Sequence, residues 1–235
     1  MKKIRITLVL VMLSAFALAQ SVTEIPLIGE EAPNFKGKST NGDINFPKDF
    51  GDNWKLLLSH PKDFTPVCTS ELLELASMQE EFKDLNVDIL VVSTDELKNH
   101  YAWKDLMEQI NYKDQDPIKI NFPLVDDYKM HISHKYGMLH GPYNTGGVNK
   151  DVRGVYVIDP DNIVRSIHFY PMEIGRNMNE IKRSIIALQT FDEYNVLTPA
   201  NWQPGDDVLL PTHTEDDLSN PDVYQRSWML TYKKH

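Results

Sequence analysis

One cysteine stands in the 235 residues, so any thiol chemistry of the chain belongs to Cys68. It lies in the string His60-Pro61-Lys62-Asp63-Phe64-Thr65-Pro66-Val67-Cys68-Thr69-Ser70-Glu71, between an apolar run and an amphipathic one. A cysteine at a helix start meets backbone N–H groups without intrahelical partners and the positive end of the helix dipole. Both favour thiolate over thiol, and thiolate is the nucleophile. Thr65, three residues earlier, can turn its hydroxyl toward the sulfur or toward an oxygen bound beside it. Pro61 and Pro66 stiffen the loop and remove two competing backbone donors. With no second cysteine, this thiol is free, paired between chains, or reactive.

The elements that must position Cys68 are legible on either side. Lys55 to Ser59 and Val87 to Ser93 are short, mainly apolar runs of the kind that fill buried, often parallel strands. Between them, Leu72, Leu75, Ala76 and Phe82 keep to one face of a helix expected over 69–83. A second amphipathic helix is expected over 96–110 and a shorter one over 129–136, after a strand at 122–125. Arg153 to Ile158, a turn at Asp159-Pro160-Asp161-Asn162, and Ile163 to Phe169 read as an antiparallel hairpin. A helix over 177–189 follows. Strands alternating with helices and ending in a hairpin and helix predict an α/β architecture, a thioredoxin-like mixed sheet flanked by helices on both faces. After Thr190 the prolines at 199, 204, 211 and 221 interrupt short apolar pieces, which marks a folded C-terminal extension.

The chain start reads differently. Lys2, Lys3 and Arg5 precede an apolar run from Ile6 to Leu18, and Ala17-Leu18-Ala19 fits a small-x-small cleavage site. Residues 1–19 are thus expected to be a signal peptide, followed by a main domain over 20–190 and an extension over 191–235. The apolar run is shorter than the ~20 residues a spanning helix needs, so export is expected rather than stable membrane insertion. The formal net charge of −10 becomes more negative once those three cations leave. Such an acidic chain is a poor partner for nucleic acid or anionic lipid.

Pro61-x-x-x-Thr65-x-x-Cys68 is the active-site pattern of the peroxiredoxins, and the longer string closely resembles their 1-Cys, peroxiredoxin-6 type branch. The resemblance continues through Thr94-Asp95, Ala102-Trp103, Gly137-Met138-Leu139, Tyr170-Pro171, Gly175-Arg176-Asn177 and Thr198-Pro199, and covers about residues 24 to 212. It implies a thiol peroxidase acting on hydrogen peroxide and organic hydroperoxides. In that reading Cys68 is the peroxidatic nucleophile, Thr65 the hydrogen-bonding partner of peroxide and thiolate, and Pro61 the shield over the sulfur. Arg153 matches the arginine that holds the thiolate and orients the substrate, Glu71 the acid that positions it, and His60 a histidine characteristic of the branch. The product is a sulfenic acid at Cys68. With no resolving cysteine in the chain, an external thiol reductant must complete turnover. The resemblance also implies a homodimer or higher homo-oligomer. No cofactor is expected.

The alternative from another class is a secreted, non-catalytic thioredoxin-fold redox sensor or binding protein. His131, His134 and His140 lack the acids or cysteines that would complete a metal site, so none is expected there. Gly146-Gly147 reads as a turn. Some members of the branch are credited with phospholipase A2 activity through a serine, a histidine and an aspartate. Here Asn53 and Pro47 stand at the serine and histidine positions and only Asp161 remains, which leaves no nucleophile or base.

Overall fold

The computed structural model describes residues 25–140 and 150–234; the expected signal peptide and the Gly146-Gly147 turn lie outside them. A hairpin of β1 (Phe35–Ser39) and β2 (Gly42–Phe46) leads into β3 (Trp54–Ser59), α1 (Pro66–Ser77), α2 (Gln79–Asp84) and β4 (Val87–Ser93). Then come α3 (Leu97–Met107), β5 (Leu124–Asp126), α4 (His131–Lys135), β6 (Arg153–Ile158), β7 (Val164–Tyr170) and α5 (Met178–Tyr194). These strands form one seven-stranded mixed sheet in the order β2-β1-β5-β4-β3-β6-β7. β3, β4 and β5 run parallel, and the remaining pairings are antiparallel.

The central strands are mainly apolar because both of their faces are buried. Leu56 and Leu58 join Ile89, Val91, Val155 and Val157 in one core, which the apolar sides of α1, α2, α3 and α5 cover through Leu72, Phe82, Trp103 and Ile181. Leu57 points the other way, with Leu90, Val92, Tyr156 and Ile158, into a second core that also holds Phe35, Phe46, Ile132 and Tyr136. This alternation fixes the register of β3, and with it the place where the chain leaves the sheet toward Cys68.

Several expected boundaries shift for local reasons. The helix expected over 69–83 is two helices that meet at Met78, whose φ of −106° and ψ of 0° leave the helical range. Met78 and Phe82 are both buried, so one apolar stripe serves two short helices and spacing does not betray the break. The strand expected over 122–125 begins only at Leu124, since Pro123 has no N–H for the ladder. The helix expected from 129 begins at His131, because Met130 takes a left-handed φ of 58°. Its first turn is held by Asp127, whose carboxylate accepts from the N–H of Ile132 and Ser133 at 3.0 and 2.7 Å.

The C-terminal stretch is folded. β8 (Val208–Leu209), α6 (Glu215–Leu218), β9 (Val223–Ser227) and β10 (Leu230–Lys233) include a three-stranded antiparallel sheet in the order β8-β10-β9. It is tied to α5 by a small core of Val196, Trp202 and Val208 against Ile186 and Ala187. Among the described residues no helix is long and apolar enough to cross a membrane.

Candidate active site

Strand β3 ends at Ser59, and the chain loops from His60 to Thr65 before turning into α1. Thr65 is the N-cap, in extended conformation, and Pro66 opens the helix, where its missing N–H costs nothing. Cys68 is the third helical residue, so its backbone N–H is among those without an intrahelical partner. The sulfur is fully buried. Phe64, just before the cap, has a left-handed φ of 57° and stays half exposed.

Glu71 lies one turn further along α1, on the same helix side as Cys68. From β6, Arg153 reaches both: its Nη1 lies 3.2 Å from Cys68 Sγ and 2.7 Å from Glu71 Oε2. The rest of the guanidinium is fixed by Nε and Nη2 donating to the Met172 carbonyl at 3.2 and 2.6 Å. A second arginine completes the cluster. Arg176 donates to Glu71 through its backbone N–H, Nε and Nη2 at 2.8, 2.9 and 3.0 Å. Its Nη1 donates to the carbonyls of Ser59 and Gly154, which ties the ends of β3 and β6 together. Burial pushes the Glu71 carboxyl up, but the charge and hydrogen bonds of Arg176, then the charge of Arg153, outweigh it and hold it below the usual range. Two arginines and one carboxylate leave one net positive charge. That charge faces the Cys68 sulfur through Arg153 Nη1 and attracts negative charge there.

The remaining expected residues fall around this cluster. Pro61 is buried in the loop. The Thr65 hydroxyl donates to the Lys62 carbonyl at 2.9 Å, so it is an acceptor toward anything bound near the sulfur. His60 is fully buried and its Nε2 meets Asp63 Oδ1 at 2.8 Å. The other oxygen of Asp63 meets His100 Nδ1 at 2.7 Å, and His100 Nε2 faces the Val125 carbonyl at 3.3 Å. Burial pushes the Asp63 carboxyl up, but the hydrogen bonds to His100 and His60 prevail and bring it down to about 2. His60 Nδ1 has no hydrogen-bond partner.

Donor atoms of His60, Asp63 and Asp95 lie within 4.8 Å of one another, a spacing a metal ion would tolerate. Each is already engaged: His60 with Asp63, and Asp95 Oδ2 with the Asp63 N–H at 2.8 Å. This trio replaces the histidines weighed from sequence. His131 and His134 are exposed on α4, and His140 Nε2 lies 3.1 Å from the Gly137 carbonyl. Asn53 spends its amide on Asp88 at 3.0 Å.

The chain is similar to known proteins over most of its length. The AhpC/TSA family matches residues 28–167, and the C-terminal domain of 1-Cys peroxiredoxin matches residues 187–220. The chain belongs to the peroxiredoxin family. A peroxiredoxin of Methanosarcina mazei is 47% identical over 188 residues, which cover 80% of this chain and 84% of that one. Among solved structures, a mutant of the peroxiredoxin 6 of Arenicola marina superposes with a TM-score of 0.81 at 30% identity, over 88% of this chain and 97% of the other. A yeast mitochondrial 1-Cys peroxiredoxin gives 0.79 at 35% identity, over 90% and 100%. Peroxiredoxins are thiol-dependent peroxidases, and this one has a single cysteine with which to be one. The redox-sensor alternative is not favoured.

Arg176, Asp63 and His100 carry no role in the sequence reading, although the first two lie in segments quoted for the resemblance. Arg176 is 105 residues from Glu71, and His100 is 37 from Asp63. A buried acid needs a partner to stay charged, but nothing in the sequence says which distant arginine or imidazole supplies it.

Proposed function

We propose that this peroxiredoxin is exported after loss of residues 1–19, reduces hydroperoxides through Cys68, and depends on an external thiol to return Cys68 to its starting state. The observation that carries the chemistry is Arg153 Nη1 set between Cys68 Sγ and Glu71 Oε2. Cys68 thiolate attacks one oxygen of the peroxide, the O–O bond breaks, and the departing hydroxide or alkoxide takes up a proton. Sulfur gains the transferred oxygen as sulfenic acid.

Arg153 is the residue that serves the transition state. Of its five N–H groups, those on Nε and Nη1 and one on Nη2 are engaged, which leaves the second Nη2 proton for a peroxide oxygen. Thr65 accepts from the peroxide O–H, and Glu71 and Arg176 keep Arg153 in place. Pro61 keeps water from the sulfur. His60, fixed by Asp63, offers Nδ1 for proton handling. Preorganised donors of this kind act where charge spreads over sulfur and both oxygens.

Turnover then needs a thiol that condenses with the sulfenic acid to a mixed disulfide, releasing water, and a second thiol that exchanges it away. The yeast relative's resolution is described as proceeding through glutathione/thioredoxin systems, and a thiol of that class suits this chain. A homodimer is the working assembly. Consumption of hydrogen peroxide with a small dithiol tests the reading: the natural chain turns over and Cys68→Ser does not. Equal turnover in Cys68→Ser would refute it. N-terminal sequencing of protein recovered outside the cytoplasm tests export, since an intact Met1 contradicts cleavage.

A further inference from the structure

Asp151, two residues ahead of Arg153, is fully buried, and neither of its carboxyl oxygens has a hydrogen-bond partner. Nothing in the peroxidase reading uses it. Among the described residues, the charged groups acting on it from the elements packed around it are Asp127, ahead of α4, and Asp95, after β4, and both are acids. Ser133 on α4 lies beside it, but the Ser133 hydroxyl donates to Asp127 Oδ2 at 2.6 Å. Its single proton is therefore committed. A protonated Asp151 can give its hydrogen to the Ser133 oxygen, whereas among the described residues an ionised one faces the like charge of Asp127 and Asp95 with Ser133 as a partial offset. Burial above all, with repulsion from Asp127 and Asp95 added and Ser133 partly offsetting, pushes the Asp151 carboxyl well up from its ordinary range.

The backbone beside it leads straight to the site. Val152 N–H donates to the Met138 carbonyl at 2.9 Å, and the Val152 carbonyl accepts from the Ser59 hydroxyl at 2.6 Å. That same Ser59 oxygen accepts from Gly154 N–H at 2.9 Å. Arg153 is held between these two anchored residues. We propose that Asp151 is a proton-dependent latch: uncharged, it keeps the approach to β6 packed and Arg153 over Cys68, and ionised, it releases that approach and loosens the arginine.

The sign follows from linkage. The folded chain holds the Asp151 proton more tightly than the unfolded chain does, so this residue's stabilising effect is complete below the unfolded carboxyl range. It is lost as pH rises toward the folded value. Within that window each pH unit costs the natural chain about tenfold in its folding equilibrium relative to a chain with a neutral residue there.

The consequence for activity rests on the peroxidase reading above, so two measurements are made on the full chain and on Asp151→Asn and Asp151→Leu. Denaturant midpoints from about pH 5 to about pH 8 test the latch without reference to function. The rate of Cys68 with hydrogen peroxide over the same range tests its link to Arg153. The expected result is a natural chain whose midpoint falls with pH against both variants until Asp151 ionises in the folded chain, and a variant-to-natural ratio of peroxide rates that rises severalfold past that pH, the range being carried upward until the divergence levels off. If only one variant folds, that variant decides. Parallel midpoints overturn the latch, and a rate ratio that stays constant past the pH at which the midpoints stop diverging overturns the link to Arg153. Absence of any peroxide reaction in the natural chain defeats the peroxidase reading and the link together, while the midpoints still decide whether Asp151 titrates.

Discussion

Cys68 owes its setting to a charge balance rather than to any single neighbour. Arg153 and Arg176 enclose Glu71, and the one positive charge left over faces the sulfur. Breaking such a buried set by removing one partner typically costs about 3–5 kcal/mol, so Glu71→Gln should weaken folding as well as catalysis. Asp63 makes the second balance, with a histidine on each oxygen. Its folded carboxyl sits at about 2 against an ordinary 3.8, so the stability it contributes is present above the ordinary value and lost as pH falls from about 4 through 2. The expected loss is about 2 kcal/mol on the linkage scale. Acid unfolding of the natural chain against Asp63→Asn isolates it, since other carboxylates cancel in the comparison. Equal acid sensitivity of the two would contradict the assignment. At this scale the sequence shows Cys68, Thr65 and the Glu71 and Arg153 carried by the resemblance. It does not show Asp63 as more than a loop acid, because its partner His100 comes from α3, two helices and a strand away.

The elements set how those residues can move. The first turn of α1 is fastened by Thr69, whose N–H and hydroxyl both donate to the Thr65 carbonyl, and by Trp103 Nε1 donating to Thr69 Oγ1 at 3.2 Å. A disulfide needs the two Cβ atoms within about 3.5–4.5 Å, and no external thiol can come so near a fully buried sulfur without displacing that turn. Amide exchange at Val67 to Ser70 should therefore quicken in the mixed disulfide, while Leu72 to Ala76 exchange as in the reduced chain. Unchanged exchange throughout α1 would contradict this. β3, β4 and β6 were legible because both faces are apolar, and α5 because its stripe is regular. The β1–β2 hairpin was not, since Phe35, Ile44 and Phe46 are the only large apolar side chains among its ten strand residues. The second sheet escaped notice for the same reason, its strands burying little beyond Val208 and Thr231.

At the scale of the whole molecule, a strongly acidic chain carries a C-terminal extension packed on α5. β7 is an edge of the main sheet, and its Ile167, Phe169 and Tyr170 remain only half-buried, as does Leu210 in the extension. Sedimentation of the reduced protein at micromolar concentration should give about twice the mass of one chain. A monomer throughout that range contradicts the dimer and leaves the chemistry of one chain untouched.

The central claim is that Arg153 makes Cys68 a peroxide-reactive thiolate. The direct measurement is the rate at which reduced protein reacts with one equivalent of hydrogen peroxide, with the mass of the Cys68 peptide read afterwards. The natural chain should gain one oxygen at Cys68, and Arg153→Ala should react about a hundredfold more slowly or worse, the usual loss for one oxyanion-type donor. An Arg153→Ala chain that reacts as fast as the natural one, or oxygen found elsewhere than on Cys68, would contradict it.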